Sequence, residues 1–224
     1  MSHSRKRLAA ILLATAALFS ASLHAQGLVP YQEGLHYFKI DQASAMPSDK
    51  VEVVEMFSYL CTHCYTFDPY INRWAAKAPE HVEFRRIPVV FGRSSWELYA
   101  RGYVTAEVMG VTDQAHKALM ERLWKEKKIL RSLDEIAGFY AGFGLDKDKF
   151  LSTAQSFAVD GRIRKDQQLV RDYGITGTPS MVVNGKYRVT GNAAIPSFDA
   201  MLNVVDYLVE IEASKLRKAS AAAE

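Results

Sequence analysis

Apolar and polar positions alternate between two rhythms along this chain. Short β-branched runs with strand character lie at Tyr37–Ile40, at Val51–Tyr59 and at Val82–Val90, the last interrupted near its end by Pro88. From about Trp96 to Asp172 the period lengthens to that of helices. Asp113 precedes a run carrying Ala115, Leu119, Leu123 and Trp124, Ser132-Leu133-Asp134-Glu135 fits a capping box, and Asp146 can cap the segment holding Phe150 and Leu151. Gly161 or Gly174 marks helix ends. Strand character returns in Ser180–Val183, Asn184-Gly185 supplies a two-residue hairpin turn into Lys186–Val189, and Ser197 opens a last helix. In that helix Phe198, Leu202, Val205 and Val209 recur on one face. The order predicts an α/β fold: a sheet with helices on it, split by an α-helical insertion.

One junction carries chemistry. Directly after the Val51–Leu60 run stands Cys61-Thr62-His63-Cys64, the only cysteines in the chain, and a helix is expected from Cys61 to about Lys77 with a kink at Pro69. A Cys-x-x-Cys pair where a strand turns into a helix puts its sulfurs at a helix N-terminus, where backbone N–H groups and the helix dipole favour a thiolate. Cys61, nearer the helix start, is expected to be the exposed sulfur of low pKa, and Cys64, one turn in, the buried one. A structural disulfide closing so short a loop would constrain the unfolded chain little. A zinc site lacks its remaining ligands, since there is no second Cys-x-x-Cys and no His-x₃₋₅-His pair. The expected cofactor is therefore none beyond the redox-active disulfide itself, with no metal.

Charge and the first residues set the compartment. Arg5-Lys6-Arg7 followed by an apolar stretch from Leu8 to about Leu23 reads as a cleavable secretory signal, residues 1–25, with cleavage after Ala25. The apolar run is shorter than the ~20 residues that span a bilayer. Of 28 basic and 25 acidic residues, the leader holds three basic ones and no acid, so the remainder is formally neutral and no basic face speaks for nucleic acid. An exported redox pair works in an oxidising compartment, which favours making disulfides over breaking them.

The stretches Glu55–Tyr65 and Gly174–Gly185, with the helical block between them, resemble the DsbA-type periplasmic thiol:disulfide oxidoreductases of the thioredoxin superfamily. The resemblance extends over nearly all the chain after the leader. It implies a thioredoxin fold in parts 26–94 and 173–218 with a helical insertion at 95–172, while the Ala-rich tail 219–224 reads as disordered from its composition. It implies a dithiol oxidase that gives its Cys61–Cys64 disulfide to unfolded exported proteins bearing free cysteines, is reoxidised by a DsbB-type quinone-linked membrane partner and works in the periplasm, with a monomer as default. It further implies a cis Thr178-Pro179 bond facing Cys61, the Thr178 backbone being free to pair with an extended substrate. His63 can donate a hydrogen bond or a positive charge to the Cys61 thiolate. Glu55 interrupts an apolar strand, and burial beside Cys64 would raise its pKa and let it exchange protons with that sulfur; Asp68 and Arg86 are candidates for the same charge network. Tyr65 and Trp74 are core or groove-wall residues. Family members commonly carry Pro-His between the cysteines, and Thr62 in place of the proline is a tuning position. Two rival functions stand beside the oxidase: an isomerase or reductant on the same fold, and a metal- or peptide-binding chaperone.

Overall fold

The computed structural model describes residues 30–41 and 49–222. The leader 1–25 and residues 223–224 lie outside the described residues. The described residues from Glu33 onward belong to one compact unit, which contains everything described below.

Five strands form one mixed sheet: β1 (Phe38–Lys39), β2 (Val51–Phe57), β3 (Val82–Pro88), β4 (Ser180–Val183) and β5 (Tyr187–Thr190), in the order β1-β5-β4-β2-β3. Next to the central β2, β3 runs parallel and β4 antiparallel. A strand covered on both faces must be apolar on both, and six of the seven residues of β2 are buried. Val54 and Met56 enter one core with Ile87, Val89, Val170 and Val182. Phe57 enters the other, which also holds Tyr59, Cys64 and the inner faces of the helical block. Glu55 lies on the same side of β2 as Phe57, two residues away.

Among the described residues the helices are α1 (Thr62–Ala75), α2 (Ser94–Val108), α3 (Thr112–Trp124), α4 (Leu133–Ala141), α5 (Lys147–Ala154), α6 (Phe157–Asp172) and α7 (Phe198–Ala221). Most of their starts follow the sequence signals. Ser132 accepts from the Glu135 N–H, Asp146 from that of Lys149 and Ser197 from that of Ala200. The Ser132 capping box closes one residue early, because Glu135 reaches the N–H of Arg131 instead of that of Ser132. Between β4 and β5, Asn184 and Gly185 have φ of 52° and 60°, the left-handed pair that a two-residue hairpin demands.

Four expectations change. α3 starts before Asp113, at Thr112, with Val111 as a cap that makes no side-chain bond; Asp113 sits in the first turn, where its charge suits the dipole. Gly161 ends nothing and lies inside α6, whereas Gly174, at φ 60°, does follow that helix's end. α1 carries Pro69 within it and ends at Ala75, two residues before the expected Lys77. The tail expected to be disordered from Ala219 is helical through Ala221, since alanine favours the helix more than any other residue.

Candidate active site

β2 ends at Phe57, Ser58–Leu60 turn the chain, and α1 begins at once. Cys61 is the N-cap residue of α1, in extended conformation, and its side chain stands where a serine or aspartate cap would: the Cys64 N–H donates to Cys61 Sγ at 3.4 Å. From the other side comes the loop before β4. The Thr178-Pro179 bond is cis, and Cys61 Sγ lies 3.3 Å from the Thr178 carbonyl oxygen. Both cysteines are free thiols here, Cys61 part-exposed and Cys64 buried.

The two sulfurs are driven apart electrostatically. The Cys64 thiol donates to Cys61 and does most to favour its thiolate; burial opposes this, but the Thr178 side chain and the N–H groups of Cys64 and His63 add to it, holding the Cys61 pKa down to about 5. Burial pushes the Cys64 thiol in the other direction, and the hydrogen bond and negative charge of Cys61 push it further. The stabilised thiolate favours the reduced protein, so the oxidised pair is the better oxidant for it.

A charged network lies beneath the pair. Glu55 is 2% exposed, and Arg86 Nε donates to its Oε2 at 2.7 Å. Burial raises the Glu55 pKa; Arg86 opposes that incompletely, while the charges of Asp68 and Cys61 add to it. Arg86 Nη2 also donates to Asn72 at 2.6 Å, and Asn72 donates to Asp68 Oδ2 at 2.9 Å. Asp68 stands one turn beyond Cys64 on α1. Its other oxygen lies 3.2 Å from Nε2 of the buried His116, whose Nδ1 is 3.0 Å from the Tyr59 hydroxyl. Burial raises Asp68, but His116, Arg86 and Asn72 together outweigh it and the net direction is down.

A family description, DSBA-like thioredoxin domain, matches residues 52–203. The chain belongs to the DsbA-like thioredoxin family. The thiol:disulfide interchange protein DsbA of Pseudomonas aeruginosa is 42% identical over 211 residues, which span 92% of this chain and 96% of that protein. The protein of the same name from Azotobacter vinelandii is 41% identical over 214 residues, 94% and 99% of the two chains. The crystal structure of Pseudomonas aeruginosa DsbA matches this fold with a TM-score of 0.77 at 40% identity, covering 84% of this chain and 97% of that one. The thioredoxin fold with a helical insertion is thus the DsbA-like architecture, and the chain is a thiol:disulfide oxidoreductase.

Within this DsbA-like site, Cys61, Cys64, Thr178, Pro179 and Glu55 come together. Thr62 and His63 are exposed on the first turn of α1; what His63 gives Cys61 is its backbone N–H. Tyr65 stacks on Trp124, centroids 6.2 Å apart, and Trp124 Nε1 donates to the Tyr59 carbonyl at 2.9 Å, so these rings wall the site. Trp74 stands at the far end of α1, against Phe84 and Asp206. Among the described residues no cluster of metal-ligating side chains forms. Sequence reasoning passed over Asn72, Tyr59 and His116; the usable signal was His116 itself, a polar residue on the apolar stripe of Ala115, Leu119, Met120 and Leu123.

Proposed function

We infer that this protein is a dithiol oxidase which transfers its Cys61–Cys64 disulfide to newly exported polypeptides. The observation that carries the inference is the split between two sulfurs one turn apart: Cys61 reachable beside Thr178 and held as a thiolate, Cys64 buried and held as a thiol. A substrate thiolate attacks Cys61 Sγ of the oxidised pair, the Cys61–Cys64 bond breaks, and Cys64 leaves and takes up a proton, with Glu55 as the neighbouring carboxyl that supplies it. A second substrate thiolate attacks the substrate sulfur of the mixed disulfide and expels Cys61 as a stable thiolate. Two electrons pass to the protein and one disulfide to the substrate.

Thr178 offers its backbone beside Cys61 to an extended peptide, which makes recognition tolerant of sequence. The leader 1–25 directs the chain to the periplasm and is removed; a DsbB-type quinone-linked membrane partner reoxidises Cys61–Cys64, no metal or organic cofactor takes part, and the chain acts as a monomer with 95–172 as its helical insertion. Thr62 occupies the first helical position, where proline would be tolerated, so it tunes the pair without being required by the helix.

The test is the equilibrium of the leader-free protein in glutathione buffers. An oxidase stays reduced in buffers that leave a thioredoxin-type pair oxidised. A Cys61–Cys64 pair that requires strongly reducing buffers would instead make this scaffold a reductant or isomerase.

A further inference from the structure

Asp68 Oδ1 is buried and has no aligned hydrogen-bond donor among the described residues. Two nitrogens contend for it: His116 Nε2 at 3.2 Å and Arg86 Nη2 at 3.8 Å. His116 reaches it from α3, in the helical insertion, whereas Arg86 stands on β3 and already spends its Nε on Glu55. The imidazole is itself fixed: it packs edge-on against Phe57 with centroids 5.1 Å apart, and the tautomer that serves both neighbours accepts the Tyr59 O–H at Nδ1 and carries its hydrogen on Nε2, which lies 3.2 Å from Asp68 Oδ1 without aligning on it. Burial lowers the His116 pKa, the Asp68 contact counters it incompletely, and the nearby Arg86 charge lowers it further, which keeps the ring neutral.

We propose that His116 is a positioning residue that holds Asp68 off Arg86 and so keeps the guanidinium committed to Glu55 beneath the redox pair. Without the imidazole, Asp68 Oδ1 has Arg86 as its nearest remaining donor, and one cation is then divided between two buried carboxylates. The insertion thereby sets the proton affinity of a group on the central strand. The groups facing Glu55 are Arg86 from β3, Cys61, Cys64 and Asp68 from the cap and body of α1, and Tyr103 from α2. Those facing His116 are Asp68, Arg86, Tyr59, Tyr103 and, on its own helix, Asp113. The proposal rests on the reading of Glu55 as the proton partner of Cys64.

The experiment is a ¹³C-carboxyl NMR titration of Glu55 in the oxidised protein, where no Cys61 thiolate interferes. His116→Phe removes the Asp68 contact and is expected to move the Glu55 midpoint upward by about one pH unit, a tenfold change in proton affinity. His116→Gln can still donate to Asp68 and accept from Tyr59, and its midpoint should coincide with that of the unaltered protein. Should the phenylalanine variant not fold, His116→Met carries the same expectation. In an Asp68→Asn background the apolar substitution should add no further shift, because nothing then contends for Arg86. Equal shifts in the glutamine and apolar variants, or no shift in either, would overturn the proposal. Failure of the Glu55 role itself shows separately, as a Glu55→Gln protein whose rate of disulfide donation keeps the pH profile of the unaltered protein.

Discussion

Glu55 and Glu212 are both buried glutamates, 2% and 1% exposed, yet their protonation is pushed in opposite directions. For each, burial disfavours the charge. Glu212, on α7, is then overruled by three donors: Lys186 at 2.6 Å, Lys215 at 2.7 Å and Asn184 at 2.8 Å, which hold its pKa down to about 2. Both lysines reach solvent, so the cluster stays partly hydrated. Glu55 has a single guanidinium, shared with Asn72, and two negative neighbours, Asp68 and Cys61. Burial alone therefore does not decide how a buried acid is protonated; the number of donors and the sign of the nearby charges do. Glu212 ties the β4–β5 hairpin to α7, whereas Glu55 lies beneath the redox pair with its pKa raised.

The comparison breaks most visibly at the sulfurs. Cys61→Ser should abolish disulfide donation, while Cys64→Ser, whose Cys61 thiolate can attack an existing substrate disulfide but has no Cys64 to release it, should accumulate mixed disulfides with disulfide-bearing polypeptides on non-reducing gels. Next in size, Glu212→Gln should cost about 2 kcal/mol at pH 7 in urea unfolding, because two buried-side ammonium contacts lose their charge partner. A carboxylate held low stabilises the fold above its unfolded pKa and ceases to as pH falls through about 2, so this deficit should shrink below about pH 4.5. Glu55→Gln should have the opposite sign. The folded protein keeps a raised carboxyl's proton longer than the unfolded chain does, so stability is lost as pH rises past the unfolded value. The glutamine variant of the oxidised protein should thus unfold at higher urea than the unaltered one at pH 7 and match it near pH 4. The smallest effect serves as a control: Ser132→Ala, far from both carboxylates, should cost about 1 kcal/mol through its lost helix cap and leave the Cys61 titration unmoved.

What the sequence showed and what it hid follow the range of the forces involved. The strand-to-helix turn holding Cys61, the caps at Ser132, Asp146 and Ser197 and the Asn184-Gly185 hairpin are local, and each could be read from neighbouring residues. Gly161 misled because a glycine in a helix is tolerated as well as used to end one. The burial of Cys64 was legible from its place one turn into α1. The partners of Glu55 were only half legible: Asp68 and Arg86 stood out as charges near apolar runs, but Arg86 reaches Glu55 across 31 residues of sequence and His116 reaches Asp68 from a different helix, and no period in the chain encodes which donors converge. Glu212 was invisible for the same reason, a lone acid on the stripe of a long helix whose lysines arrive from a turn and from the next turn of α7.

The turn from β2 into α1, closed by Thr178, makes Cys61 a thiolate at neutral pH. The direct measurement is the ultraviolet thiolate absorbance of the reduced, leader-free protein as a function of pH, with Cys61→Ser as the blank. A single Cys61 transition near pH 5 is expected, with Cys64 silent through neutrality. A transition near pH 8.5, the value of an ordinary cysteine, would contradict it.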